Sequence, residues 1–150
     1  MLPLGRLALG KRDTRFTPDE QRTLMTLWSI ARSPLIMGGD LRHLDPSTTA
    51  LLTNPEVIAI NQASSANLPH FVEDGTRIWS ARAANGDRYV ALFNTGAGAR
   101  EVGIDLAMLD LGGTVSVRDL WTRAADGTAT GRLSRRIARH GAGLYRLAAA

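Results

Sequence analysis

The side chains in this chain that could do chemistry are its carboxylates, three histidines and three tryptophans; there is no cysteine. Without a thiol, disulfides, thiolate metal sites and cysteine nucleophiles are excluded at once. Paired carboxylates could serve hydrolysis as nucleophile and acid/base, and Asp13, Asp19, Glu20 and Asp40 invite that reading. Asp19 and Glu20, however, are neighbours at the start of a helical pattern, where negative charge favours the helix dipole. Asp40 follows two glycines, the usual place of a turn-stabilising aspartate, and also follows a short apolar run, at the end where barrel enzymes keep their sites. His43, His70 and His140 stand alone, with no second ligand at helical spacing, so no metal and no cofactor is implied. Trp79 and Trp121 lie in strand-like segments and could stack on a sugar, although a small sandwich usually keeps such residues in its core.

Charge narrows the partners. Eighteen basic against fourteen acidic residues leave a formal charge of +4. Arg132, Arg135, Arg136 and Arg139 could meet phosphate, but no aromatic platform or helix-turn-helix pattern accompanies them, so no nucleic acid is expected. Met1 to Lys11 is broken by Pro3, Gly5, Arg6 and Gly10 and lacks the pattern of a secretory leader. No later run approaches the ~18 apolar residues of a membrane span. The chain is expected to be soluble with no membrane partner, and its localisation stays unassigned.

The elements that must position these residues fall into two textures. Residues 1 to 16 are punctuated by glycine, proline and charge and read as a loop. Thr17, Pro18 and Glu20 form a Thr-x-x-Glu capping box with proline at the first helical position. The helix should run to Arg32, with Leu24, Leu27, Trp28 and Ala31 as its apolar stripe. Pro34 stops it. Leu35 to Met37 is the short, wholly apolar run of a parallel strand buried on both faces. Asp45-Pro46 and Asn54-Pro55 start two further short helices, the first through Leu52 and the second covering Val57, Ile58 and Ile60. Beyond Gln62 the period falls from 3.6 to 2. Strands are predicted over 76–83, 89–94, 100–106, 114–121, 129–137 and 142–147, with hairpin turns at Asn85-Gly86-Asp87 and Asp126-Gly127.

These residues also carry a resemblance. Leu27-Trp28, Ser33-Pro34-Leu35, Gly39-Asp40-Leu41, Leu52-Thr53-Asn54-Pro55-Glu56-Val57 and Ile60-Asn61-Gln62 resemble, in order and spacing, the closing barrel segment of melibiase-type (GH27-like) α-galactosidases. Ile78-Trp79, Val90-Ala91-Leu92-Phe93-Asn94, Val117-Arg118-Asp119-Leu120-Trp121, and His140-Gly141 before Leu144-Tyr145-Arg146-Leu147 are similar to the C-terminal β-domain of the same proteins.

The resemblance implies an α/β plus all-β chain: the last units of a (β/α)8 barrel over 1–62, incomplete because a barrel needs roughly 250 residues, a linker over 63–70, and an antiparallel β-sandwich over 71–150. It implies a retaining glycosidase acting on α-galactosides, which needs a carboxylate nucleophile and a second carboxyl about 5 Å away. In the family both come from strands earlier than anything here, so no catalytic residue is assigned and the chain alone is expected to be inactive. Met1-Leu2 matches the end of the family's Asp-Pro-Asp-Met-Leu motif, and Met1 is the single position onto which a substrate contact is carried. The missing cysteines depart from the disulfide-bearing eukaryotic members and point to a bacterial branch. A truncated product or half of a split enzyme is expected, with a complementary chain or self-association covering a labile N-terminal half. The competing reading is a stand-alone β-sandwich that binds carbohydrate through Trp79 or Trp121.

Overall fold

Thr17 and Glu20 satisfy each other's backbone in the computed structural model, which describes residues 1–7, 9, 11–70 and 75–149. Glu20 N donates to Thr17 Oγ1 and Thr17 N donates to the Glu20 carboxylate, the reciprocal pairing that starts α1 (Pro18–Ile30). The helix stops two residues short of the expected Arg32. Arg32 takes a positive φ of 53°, and its guanidinium crosses to the carbonyls of Asn61, Gln62 and Ser64. Those carbonyls end α3 (Pro55–Ala63), so Arg32 caps one helix by leaving another. α2 (Pro46–Leu52) and α3 start as predicted, with Asp45 and Asn54 as N-caps.

The buried face of α1 is not centred on the expected stripe. Met25, Thr26, Ser29 and Ile30 are its buried residues, while Leu24, Leu27 and Trp28 are half-buried on the flank. The helix is covered on two sides, by α3 and by the outer face of a β-sheet, and the most buried arc lies between those contacts. Ser29 Oγ is the one buried side-chain polar atom among the described residues without a hydrogen-bond partner. Ser29→Ala is therefore expected to raise stability by about 1 kcal/mol, combining relief of an unmet hydroxyl with better helix propensity. Urea unfolding checks this, and a loss of stability would show that the hydroxyl is satisfied after all.

Residues 1–4, read as loop from the sequence, lie beside Leu35–Met37 and join it through a single parallel bridge. Leu2 bridges Met37, with Leu2 N donating to Ile36 O at 2.7 Å and Gly38 N to Leu2 O at 2.9 Å. Leu2 and Leu4 are buried, which the period-two spacing foreshadows despite the intervening Pro3. A two-residue hairpin follows, β1 (Arg6–Leu7) with β2 (Arg12–Asp13), and α1 then crosses back, completing one βαβ unit. The expectation that Leu35–Met37 is buried on both faces is overturned: Ile36 is 56% exposed. Leu35 and Met37 pack toward the helices, and no second layer covers the other face. Gly39 is required by close approach, since a Cβ there would collide with the carbonyls of Leu4 and Arg6.

The rest of the chain is antiparallel: β3 (Ser65–His70), β4 (Thr76–Arg82), β5 (Arg88–Asn94), β6 (Arg100–Asp105), β7 (Thr114–Asp119), β8 (Ala124–Thr130), β9 (Arg132–Ile137) and β10 (Ala142–Ala149), in the hydrogen-bonded order β3-β4-β5-β10-β7-β8-β9-β6. β8 and β9 pair only at Thr130 with Arg132, around Gly131 at φ 70°. That corner lets the β9–β6 ribbon fold over β4 and β5 and close the sandwich. Three sequence expectations change here. Residues 65–70, expected within a linker, form the edge strand β3. The expected strand over 129–137 is two strands broken at Gly131. Asp126-Gly127 is no hairpin turn: between the pairs Ser116–Thr128 and Arg118–Ala125 these two residues of β8 lie opposite the single Val117 of β7, so Gly127, at φ 79°, sits in a β-bulge. Residues 71–74, the expected start of the sandwich, lie outside the described residues.

Two apolar cores result. One fills the sandwich, around Ile78, Leu92, Val102, Ile104, Val117 and Leu133. The other joins the helices to the sheet's outer face, with Leu4, Met25, Ile30, Val57 and Ile60 on one side and Ala91, Phe93, Leu120 and Leu144 on the other. Each large side chain buried there contributes roughly 1.5–3 kcal/mol. The expected uncovered helical stripe thus finds cover within its own chain.

Candidate functional site

Asp13, Glu20 and Asp40 already have structural work, and Asp19 stands in the first turn of α1. Asp40 Oδ1 accepts from Arg42 N, and its carboxylate is forked by the Arg42 guanidinium at 3.0 and 2.9 Å, with His43 Nδ1 at 3.2 Å. The Arg42 side chain first, then its backbone N–H, holds the Asp40 carboxyl far below the usual carboxylate range. Asp45 is held low in the same way by Ser47 and Thr48. Glu20 is lowered by the Thr17 N–H and by His140, whose Nδ1 lies 3.0 Å from Oε1. Asp13 pairs with Arg6 on the surface. A glycosidase's general acid needs a carboxyl pushed upward. Every carboxyl with a resolved shift here is pushed downward, so none of those four is tuned as such an acid.

The histidines stay apart: His43 faces Asp40, His70 meets Ser80 Oγ at 2.8 Å, and His140 meets Glu20. Among the described residues no three groups of metal-ligand type converge. Trp79 and Trp121 are half-buried against the core between sheet and helices, and the Trp121 indole N–H donates to Thr26 Oγ1 on α1 at 3.0 Å. Met1 is 76% exposed beside Gly38, as the first residue of the segment that pairs in parallel with Leu35–Met37.

What the recurring motifs do instead is fasten the two parts together. Asn54 caps α3 with Oδ1, while its Nδ2 donates to Leu120 O at 2.8 Å across 66 residues of sequence. Two residues on, Glu56 accepts both arms of Arg118 at 2.8 Å each. Asn61 Nδ2 donates to Ser33 O and Trp28 O, tying α3 to the end of α1. Thr23 Oγ1 on α1 donates to His140 O in the β9–β10 turn. The partners of these contacts are not visible from spacing, because each lies tens of residues away.

Four titratable groups make the stability of the fold depend on pH. Glu20 and Glu56, lowered mainly by Thr17 and by Arg118, contribute stability that is present above the ordinary 4.5 and lost as pH falls below it. At the other end burial pushes Tyr145 up to about 12 from 10, and pushes Tyr89 upward too. Their neutral forms are favoured by folding, so that stability is intact below 10 and lost as pH climbs toward 12. Alkaline titration followed by tyrosinate absorbance is expected to show neither tyrosine ionising at its ordinary value, with Tyr145→Phe reducing the alkaline loss. Normal titration of both would contradict the burial.

A βαβ unit docked by its helices on an antiparallel sandwich, with a parallel pair left open on one face, is the architecture where the end of an α/β barrel meets an accessory β-domain. The family model described as alpha galactosidase C-terminal beta sandwich domain matches residues 73–147, and that described as alpha galactosidase A matches residues 7–63. The α-galactosidase of Cyamopsis tetragonoloba is 30% identical over 133 residues, covering 86% of this chain and 32% of that protein. Among solved structures, a GH27 β-L-arabinopyranosidase from Geobacillus stearothermophilus superposes with a TM-score of 0.95 at 37% identity, covering 99% of this chain and 36% of that one. α-Galactosidase I of Mortierella vinacea gives 0.86 at 26%, covering 95% and 38%. This chain belongs to the melibiase family of α-galactosidase-type glycoside hydrolases. It spans about a third of the length of the curated relatives it matches.

Proposed function

We propose that this chain supplies the closing βα unit and the β-sandwich of a retaining glycoside hydrolase acting on α-galactosides, and that the nucleophile and acid/base are carried by other residues than those described here. The observation that supports this most is the parallel pair itself. Residues 1–4 and 35–38 pair with each other, while Ile36 and Met1 stand exposed on the face turned away from the helices. In a closed barrel that face is interior, and the match of Met1-Leu2 to the end of the family's Asp-Pro-Asp-Met-Leu motif is what supports a substrate contact at Met1. On this reading Met1 forms an apolar part of the sugar pocket, and the two outer edges of the pair take up further parallel strands from a complementary chain or from a second copy. The docked sandwich holds the last helices, and through them the segment that carries Met1, against the barrel's own fluctuations. The two halves, 1–62 and 71–150, then act as one support rather than as separate modules.

The test is complementation. The chain is co-expressed with the preceding barrel portion of a family α-galactosidase, and hydrolysis of an aryl α-galactoside is followed beside that of an aryl β-L-arabinopyranoside. Restored turnover on the galactoside, with a raised KM for Met1→Ala, is expected. Association of the two chains without turnover on either substrate would overturn the reading.

A further inference from the structure

A polar cleft of about 210 Å³ lies where the first turns of α1, the β7–β8 turn and the start of β10 meet. It is smaller than the ~300 Å³ at which pockets for drug-sized ligands begin, so it suits something about the size of a single ring. Its floor lacks side chains because Gly141, Ala142 and Gly143 follow one another. Gly143 is forced by Tyr145, whose hydroxyl lies where a Cβ would be. Tyr145 is only 6% exposed and lines the cleft, its ring face is taken by Arg135 at 5.6 Å, and among the described residues its hydroxyl makes no hydrogen bond. The ring is buried while the hydroxyl opens on the cleft, where a bound molecule can reach it as donor or acceptor.

The walls are matched in charge. Asp19 and Arg22 come from α1, Asp119 from the end of β7 and Arg136 from β9, two acids against two bases. Asp119 spends Oδ1 on the N–H groups of Trp121 and Thr122, which leaves Oδ2 as an acceptor. Trp121, pinned by its bond to Thr26, supplies an apolar edge. Two carboxylates against two guanidinium groups leave no net charge among these four, which fits a neutral polyhydroxylated ring better than an anion, which would face two carboxylates.

We propose that this cleft is a second carbohydrate site, binding one neutral pyranose through the Tyr145 hydroxyl, Arg22 and the Asp119 carboxylate, apart from the barrel end and independent of whether the barrel reading holds. Burial favours the protonated phenol, so Tyr145 is a donor at neutral pH.

The experiment is a titration of the isotopically labelled chain with methyl α-galactoside, followed by amide and indole N–H shifts, with sodium sulfate as the anionic comparison. Saturable shifts at Gly141, Gly143 and the Trp121 indole, with millimolar affinity, are expected. Tyr145→Phe removes one hydrogen bond and should weaken binding roughly 3- to 10-fold. Arg22→Ala, at an exposed position, should weaken it similarly and serves if the tyrosine variant does not fold. The proposal is overturned by absence of saturable shifts, by shifts confined to Met1 and Ile36, by wild-type affinity in a folded variant, or by sulfate displacing the sugar.

Discussion

Asn94→Ala is expected to lower stability by about 3 kcal/mol, the largest single-residue effect outside the apolar cores. Asn94 is fully buried at the end of β5. Its Nδ2 reaches the carbonyls of Gly98, Ile137 and Ala138 at 2.7, 3.1 and 3.0 Å, and its Oδ1 accepts from Gly96 N at 2.9 Å. One amide thus satisfies the ends of β5 and β9 and the loop between β5 and β6. Alanine strands these groups, each at a cost of about 1 kcal/mol or more when out of water. Asn94→Asp is the sharper control, because at neutral pH it aims a carboxylate at three carbonyls. That variant should be at least as unstable, and should recover in part on acidification, when the protonated carboxyl donates again. Denaturant midpoints across pH measure both effects, and a loss below about 1 kcal/mol in Asn94→Ala would mean the network contributes little.

Asn54→Ala comes next, at about 2–4 kcal/mol. Loss of the α3 N-cap costs about 1 kcal/mol, and leaving Leu120 O buried without its donor costs about 1–3 kcal/mol more. The neighbouring Glu56–Arg118 pair is the contrast. With side chains 26% and 34% exposed it is bidentate but wet, and Glu56→Gln should cost at most about 1 kcal/mol. If the two variants proved equal, the buried amide would not be the main fastening between the barrel end and the sandwich. Loss at Asn54 should also expose Leu4, Phe93 and Leu144 together, since they share one core, so unfolding should remain a single transition.

Local chemistry is what the sequence displayed well. Thr17-Pro18-Asp19-Glu20, Asp45-Pro46 and Asn54-Pro55 announce helix starts because a cap needs only its own turn. Alternation at Val102 and Ile104 identified the buried face of β6, and both are buried, as is Leu106 in the turn that follows the strand. Where the reading failed, a distant partner decides. Leu2 joins a parallel bridge only because Leu35–Met37 runs beside it, 35 residues on. Gly127 accommodates a bulge instead of a turn because β7 sets the register. The apolar stripe of α1 shifted because the sheet, and not only the other helices, covers it. The same holds for the sites: nothing near Trp121 in sequence reveals Thr26, 95 residues away, as the acceptor of its indole. The family motifs were recognisable as strings, yet their role as fastenings required the fold.

Asp40, Asp45 and Glu20 hold turns and helix starts and catalyse nothing. The most direct measurement is turnover of an aryl α-galactoside by the purified chain alone, at high enzyme concentration and across the pH range in which it stays folded. Hydrolysis at the buffer rate is predicted. Hydrolysis above it that survives repurification and disappears on replacing Asp40, Asp45 or Glu20 would contradict the claim.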